Sequence, residues 1–307
     1  MLLLITGSQD PTSSLLVLEL GSEKVFRFNY DLFKDYTLEF TPDYWKISNP
    51  TGHSIDSNNV TSCFWWKAFN FYLMGQEEFI VEEVKYIYRE IYHWCRLKGI
   101  NKGLPHDFHN HMGKMNILSI ASSYFQIPKT LATFRLGGID KFDSTALVAK
   151  SFTSGVTTTN KALMTTAVVM ETLDPDYPWY LQELVNSNAD ITIFICGNTL
   201  KAYLRDRTNL KGLDWRTEQD FKNSTKEWYL FELDKDDERA VRGFSSEMNI
   251  EWGRIDLMKV NSGLIFLEFN ANGQWVFLDL SGDDGLVKIV SDYLMPNRRE
   301  ELEQLTS

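Results

Sequence analysis

Trp252-Gly-Arg-Ile-Asp-Leu-Met-Lys-Val-Asn-Ser-Gly-Leu-Ile-Phe-Leu-Glu-Phe-Asn-Ala-Asn-Gly-Gln274 reads as two β-strands joined by a tight turn. Branched and aromatic residues fill both halves, and Asn261-Ser262-Gly263 supplies the turn chemistry. With those three residues as the loop, Gly263 takes the left-handed position of a common hairpin. Counting outward, Val260 faces Leu264, Met258 faces Phe266 and Asp256 faces Glu268. Asn270 follows on the same face, because side chains alternate with period two. Carboxylates directly opposite each other on a sheet repel, and a cation between them removes the repulsion. An all-oxygen set selects a hard ion such as magnesium, which keeps part of its shell for phosphate oxygens. The competing reading is two solvated acids at the end of an ordinary hairpin.

The totals narrow the classes of function. At 307 residues and 43% hydrophobic content, the chain suits two or three lobes with real cores. A formal charge of -11 argues against nucleic acid as a partner. No apolar run is long enough to span a membrane. The opening Met-Leu-Leu-Leu-Ile-Thr reads as a buried first strand, being too short and lacking the basic start of a signal peptide. Cys63, Cys95 and Cys196 are odd in number and widely spaced, which fits reduced thiols in the cytoplasm better than a disulfide framework. A homodimer is compatible with all of this, two-fold assemblies being the commonest.

Along the chain, Leu2–Thr6, a helix over 11–20 and a strand over 24–29 open a small α/β lobe. Short strands follow near 36–40, 44–48 and 61–67, the last running into the aromatic stretch Phe64-Trp-Trp-Lys-Ala-Phe-Asn-Phe-Tyr72. Ile80, Val84, Ile87, Ile91 and Trp94 predict a helix over 76–98. Two glycines and a proline within 99–105 mark a lobe boundary. His106-Asp-Phe-His-Asn-His111 reads as a polar loop before a helix, since zinc would want a fourth ligand that no other Cys or His pair supplies. That helix runs over 112–124 and stops before Pro128. Strands are expected over 129–134, 146–150 and 167–171, with the polar loop 151–160 between the last two. The stretch 174–178 reads as a hinge. A hairpin over 190–205 and helices over 235–246 and 285–294 complete the pattern. The divisions are 1–104, 105–178 and 179–307.

Asp256 with Phe266-Leu-Glu-Phe-Asn-Ala-Asn-Gly-Gln-Trp275 resembles the metal-binding signature of ATP-grasp ligases. The ending Asn-Gly-Gln-Trp is most similar to the microviridin-type branch, the graspetide enzymes that modify ribosomally made peptides. The resemblance implies a mixed α/β (α+β) ATP-grasp fold behind an N-terminal pre-ATP-grasp lobe. It also implies ATP and Mg2+ as cofactors, with Asp256, Glu268 and Asn270 on the metal. Such an enzyme activates a carboxylate as an acyl phosphate and joins it to an amine or hydroxyl, here on a precursor peptide with leader and core.

By the same resemblance, Lys114 and Lys150 match the two nucleotide-contacting lysines. Gln182-Glu-Leu-Val185 matches the adenine hinge, with Glu183 toward ribose or adenine, and Asp190 opens the strand that follows. Arg205 and the triplet Asp214-Trp-Arg216 match positions near the phosphates. An arginine fork suits phosphate oxygens. The sequence departs from the branch at Thr192 and at Lys67-Ala68, where arginines are usual, and both departures concern the second substrate. A nucleotide- or peptide-binding module on a degenerate scaffold, and a small-molecule amino-acid ligase, are the alternative readings.

Overall fold

Leu2–Thr6 is wholly buried, as a strand must be when a parallel sheet is covered on both faces. It is β1 of the computed structural model, which describes residues 1–66, 76–105, 108–142, 146–152, 165–208, 210, 213 and 228–296. α1 (Pro11–Leu20) starts at Asp10, whose carboxylate accepts from the Thr12 and Ser13 N–H groups, with Pro11 in the first turn. β2 (Val25–Asn29) then returns parallel to β1. β3 (Thr37–Phe40), β4 (Trp45–Ser48) and β5 (Ser54–Asp56) form an antiparallel three-stranded sheet. β6 (Ser62–Trp65), α2 (Glu78–Leu97) and β7 (Asn101–Lys102) complete the first lobe, whose parallel sheet has the order β2-β1-β6-β7.

α3 (Phe108–Met112) and α4 (Lys114–Ala121) come next, then β8 (Thr130–Thr133), β9 (Ala146–Ala149), β10 (Thr166–Val169) and β11 (Trp179–Glu183). These four strands form an antiparallel sheet of order β10-β9-β11-β8. β12 (Ala189–Cys196), β13 (Thr199–Asp206), β14 (Tyr229–Phe231), α5 (Lys235–Glu247), β15 (Trp252–Val260), β16 (Gly263–Asn270) and α6 (Leu286–Leu294) follow. Their five strands have the order β14-β13-β12-β15-β16, all antiparallel. The chain is thus a mixture of helices and sheets, as expected. β11 is bonded into the four-stranded sheet, while α4 packs on the five-stranded one through Ile117, Leu118 and Ala121. Among the described residues no helix is long and apolar enough to cross a membrane.

The C-terminal hairpin differs from the sequence reading in one informative way. Its turn is one residue shorter, formed by Asn261 and Ser262, so that Val260 pairs with Gly263, Met258 with Ile265 and Leu257 with Phe266. Gly263 opens β16 with φ +127 instead of closing the loop. In that register Asp256 would face Leu267. A β-bulge intervenes and restores the pairing of Asp256 with Glu268. The bulge also switches the faces. Leu264 and Phe266 point into the core before it and Phe269 after it, leaving Glu268 and Asn270 on the other side. A residue count from the turn carries no trace of the extra residue.

Gly253 lies where β15 meets the end of β16. With φ +136 there, an added Cβ would lie 2.5 Å from Phe269 Cζ and 3.2 Å from the Asn270 carbonyl oxygen. Gly253→Ala is expected to destabilise the chain by about 2–3 kcal/mol, measured by urea denaturation. An unchanged midpoint would show that the strand ends are not in close contact.

Candidate functional site

One face of the five-stranded sheet changes character along its length. At one end Phe194, Cys196, Tyr203 and Trp252 join Trp275, α6 and residues of the first lobe in an apolar cluster. Toward the other end, the same alternation brings up Asp190, Thr192, Arg205, Arg254, Asp256, Glu268 and Asn270. The opposite face carries Ile191, Ile193, Ile255, Leu257 and Phe266 against α4 and α5. A strand with one wholly apolar face is held in register, and here that fixes the polar half of the other.

Asp256 is the most heavily bonded of these groups. Arg254, two residues back on the same strand, donates from Nε to Oδ1 at 3.0 Å and from Nη2 to Oδ2 at 3.1 Å. Thr192, its register partner on β12, donates from Oγ1 to Oδ1 at 2.7 Å. The Asn270 amide reaches Asp256 Oδ2 at 2.5 Å and Glu268 Oε1 at 3.2 Å. The three residues expected on the metal are therefore brought together on one ribbon. Sequence reasoning overlooked Arg254. The signal was present in the Arg-x-Asp spacing, which puts both side chains on one face of a strand.

Lys114 is the first residue of α4 and approaches from beside β16. Its Nζ donates to the Ser151 carbonyl at 2.8 Å. Burial lowers its pKa, and the charge of Glu268 opposes that shift. Lys114 lines a cleft of about 280 Å³ with His109, Gly113, Met115, Asn116 and Phe152. Phe152 stacks on Tyr180 with ring centres 4.2 Å apart. The Tyr180 phenol is pushed up to about 12, first by burial and then by Glu268. Burial lowers the His109 pKa too, as does Lys114, while Glu268 raises it. Glu268 is thus the charge common to α3, α4 and β11.

The other expected positions fall out as follows. The Lys150 N–H closes β9 onto the Tyr180 carbonyl at 2.9 Å. Gln182 is 1% exposed and donates from its amide to Thr130 Oγ1 at 3.0 Å, which makes it a brace between strands. The Glu183 and Leu184 N–H groups bond the Lys129 and Ala146 carbonyls at 2.9 and 3.0 Å. Among the described residues the Val185 backbone has no such partner. Arg205 is buried opposite Asp190. Arg207 is the residue that grips the Asp190 carboxylate, with Nη1 at 2.8 and 3.0 Å from its two oxygens. Asp214, Arg216, Lys67, Ala68, His106 and most of the polar loop after Ser151 lie outside the described residues.

Neither a scan of protein-family models nor a search of curated sequences returned a match. Solved structures do match. The macrocyclase MdnC of Microcystis aeruginosa, bound with precursor peptide MdnA, aligns with TM-score 0.80 at 19% identity over 97% of this chain and 100% of that one. A RiPP-associated ATP-grasp ligase of Chryseobacterium gregarium, in complex with ADP and a leader and core peptide, gives 0.78 at 20% over 95% and 96%. The ATP-grasp ligase PsnB, complexed with a variant minimal precursor, Mg and ADP, gives 0.70 at 12% over 96% and 97%. The chain has the ATP-grasp fold.

Within the ATP-grasp fold the acidic ribbon can be tested as a magnesium site from its own donors. Asp256, Glu268 and Asn270 meet around a single amide, so their oxygens lie within the reach of one ion. The amide's oxygen and nitrogen exchange places by a half turn, which would present three oxygens. Among the described residues there is no cluster of three His, Cys, Asp or Glu side chains; the third donor here is an amide. The set fits a hard divalent cation. Such an ion would neutralise phosphate charge when bound. Arg254 and Thr192 fix Asp256, and Lys114, which feels the charge of Glu268, supplies a cation lining the cleft.

The Asp190–Arg207 pair, with side chains 11% and 12% exposed, offers a separate test. Burial raises the Asp190 carboxyl above its ordinary range and Arg207 opposes the shift. Arg207→Ala removes the larger part of the opposition and leaves that of Arg205, so Asp190 titrates higher still. The variant is expected to lose about 3 kcal/mol of stability in neutral buffer. The deficit should shrink in mildly acidic buffer, where Asp190 takes up a proton and no buried charge is left unpaired. A deficit independent of pH would show that the two charges are not coupled.

Proposed function

We propose that the chain is an ATP- and Mg2+-dependent ligase acting on a ribosomally made precursor peptide. It activates a carboxylate as an acyl phosphate and joins it to an amine or hydroxyl, with loss of phosphate. The observation that carries this reading is the convergence of Asp256, Glu268 and Asn270 on one ribbon, with the Lys114 ammonium within the electrostatic influence of Glu268. Phosphoryl transfer needs little covalent help from protein; it needs positioning and charge neutralisation, and these groups are suited to both. The fold neighbours bound to precursor peptide, ADP and Mg support the same substrate classes. Three free, buried cysteines agree with a cytoplasmic setting.

Two features bear on the acceptor. Thr192 stands where the resembled branch carries an arginine, and its hydroxyl is spent on Asp256. The cation near that carboxylate comes from Arg254 on the neighbouring strand. We place the nucleotide half of the reaction on the ribbon and cleft, and the chain's individuality on the side of the second substrate.

The test is incubation with ATP, magnesium and the short peptide encoded beside the gene, followed by mass spectrometry and an ADP assay. Loss of one water per bond formed, or a mass gain from an attached amino acid, is expected together with ADP. Release of no ADP and an unchanged peptide mass would overturn the proposal. Glu268→Gln keeps the shape of the ribbon but removes one carboxylate. It is expected to lower turnover at least 100-fold, and raising the magnesium concentration should recover part of the loss. Wild-type turnover in that variant would remove Glu268 from the metal.

A further inference from the structure

His109 belongs to the histidine-rich stretch that the proposed chemistry leaves unused. It sits on α3, one turn before Lys114, and its carbonyl accepts from the Gly113 N–H at 2.8 Å. Its ring lies edge-on to Phe108 at 5.7 Å and tilted toward Phe269 at 6.4 Å, both members of the apolar core. It lines the same cleft as Lys114. Its Nδ1 is shielded from solvent and meets no hydrogen-bond partner among the described residues. A buried polar atom left without a partner is costly, and native structures usually supply one.

The surroundings select the kind of partner. The cleft has room for a group much larger than one water molecule. Lys114 lines the cleft beside His109 and its charge acts on the ring more strongly than that of Glu268, which favours an anion there. We propose that His109 is a further positioning residue for the phosphate tail of the nucleotide, its Nδ1–H donating to an oxygen of the group that Lys114 holds. This rests on the reading of the cleft as a nucleotide site. The imidazole offers one N–H and one lone pair when neutral, and the lowered pKa agrees with a neutral donor.

Calorimetric titration of the full chain with ADP and Mg2+ tests the assignment. His109→Phe keeps a ring against Phe108 and Phe269 but has no donor; it is expected to weaken ADP binding about tenfold. His109→Asn returns an amide N–H close to the position of Nδ1 and should stay within about threefold of wild type. Equal affinity in wild type and His109→Phe overturns the proposal, as does His109→Asn binding no better than His109→Phe. A second readout uses the unaltered protein. With 15N-labelled histidine, the His109 Nδ1 resonance should shift when ADP and Mg2+ are added, and a resonance that stays in place overturns the assignment. Wild type that takes up no nucleotide at all would instead sink the ligase reading on which this one stands.

Discussion

Two carboxylates facing each other across β15 and β16 are the constraint around which the site is built. Asp256 and Glu268 are register partners, and like charges so placed would separate the strands. The two strands themselves and their neighbour β12 provide the compensation. Arg254 forks the first acid, Thr192 donates to it, and Asn270 bridges to the second. The amide bond network leaves Glu268 as the charge that Lys114, His109 and Tyr180 all sense. Their burial matters, because electrostatic interactions strengthen where water is excluded.

The fold was legible wherever one physical pattern ruled a whole element. β12 is Ala189–Cys196 and buried at every position, and the run of branched residues announces it. α2 repeats its apolar residues at helical spacing and buries Val84, Tyr88, Ile91 and Cys95. The acid pair was legible too, yet the count that reached it assumed a longer turn and no bulge, two errors that cancel. Local pattern sets which face a residue occupies only until the strand is interrupted. In β16 the interruption is Leu267, and nothing in its type marks it.

Charged partners were harder to read than faces. Arg205 and Arg207 lie two residues apart on one face, and either has the reach for Asp190. The structure assigns the contact with both carboxylate oxygens to Nη1 of Arg207, while Arg205 sits opposite in the ladder. Arg254 escaped notice for a related reason. A cation beside a metal-type acid looks redundant until the Thr192 hydroxyl on the next strand is seen to share the same carboxylate. Gln182, matched by resemblance to a hinge that meets the nucleotide through its backbone, has its side chain turned onto Thr130.

The apolar end of the sheet face carries a consequence for how the chain can be divided. Trp275 stacks on Phe194 at 5.6 Å, and Trp252 meets Phe64 at 5.0 Å. Leu2, Leu4, Phe64 and Trp66 of the first lobe share one interior with Phe194, Trp252, Trp275 and α6. The opening segment is therefore not a detachable cassette. Grafting it from a relative would mean refilling a common aromatic interior, so the two ends of the polypeptide are obliged to change together.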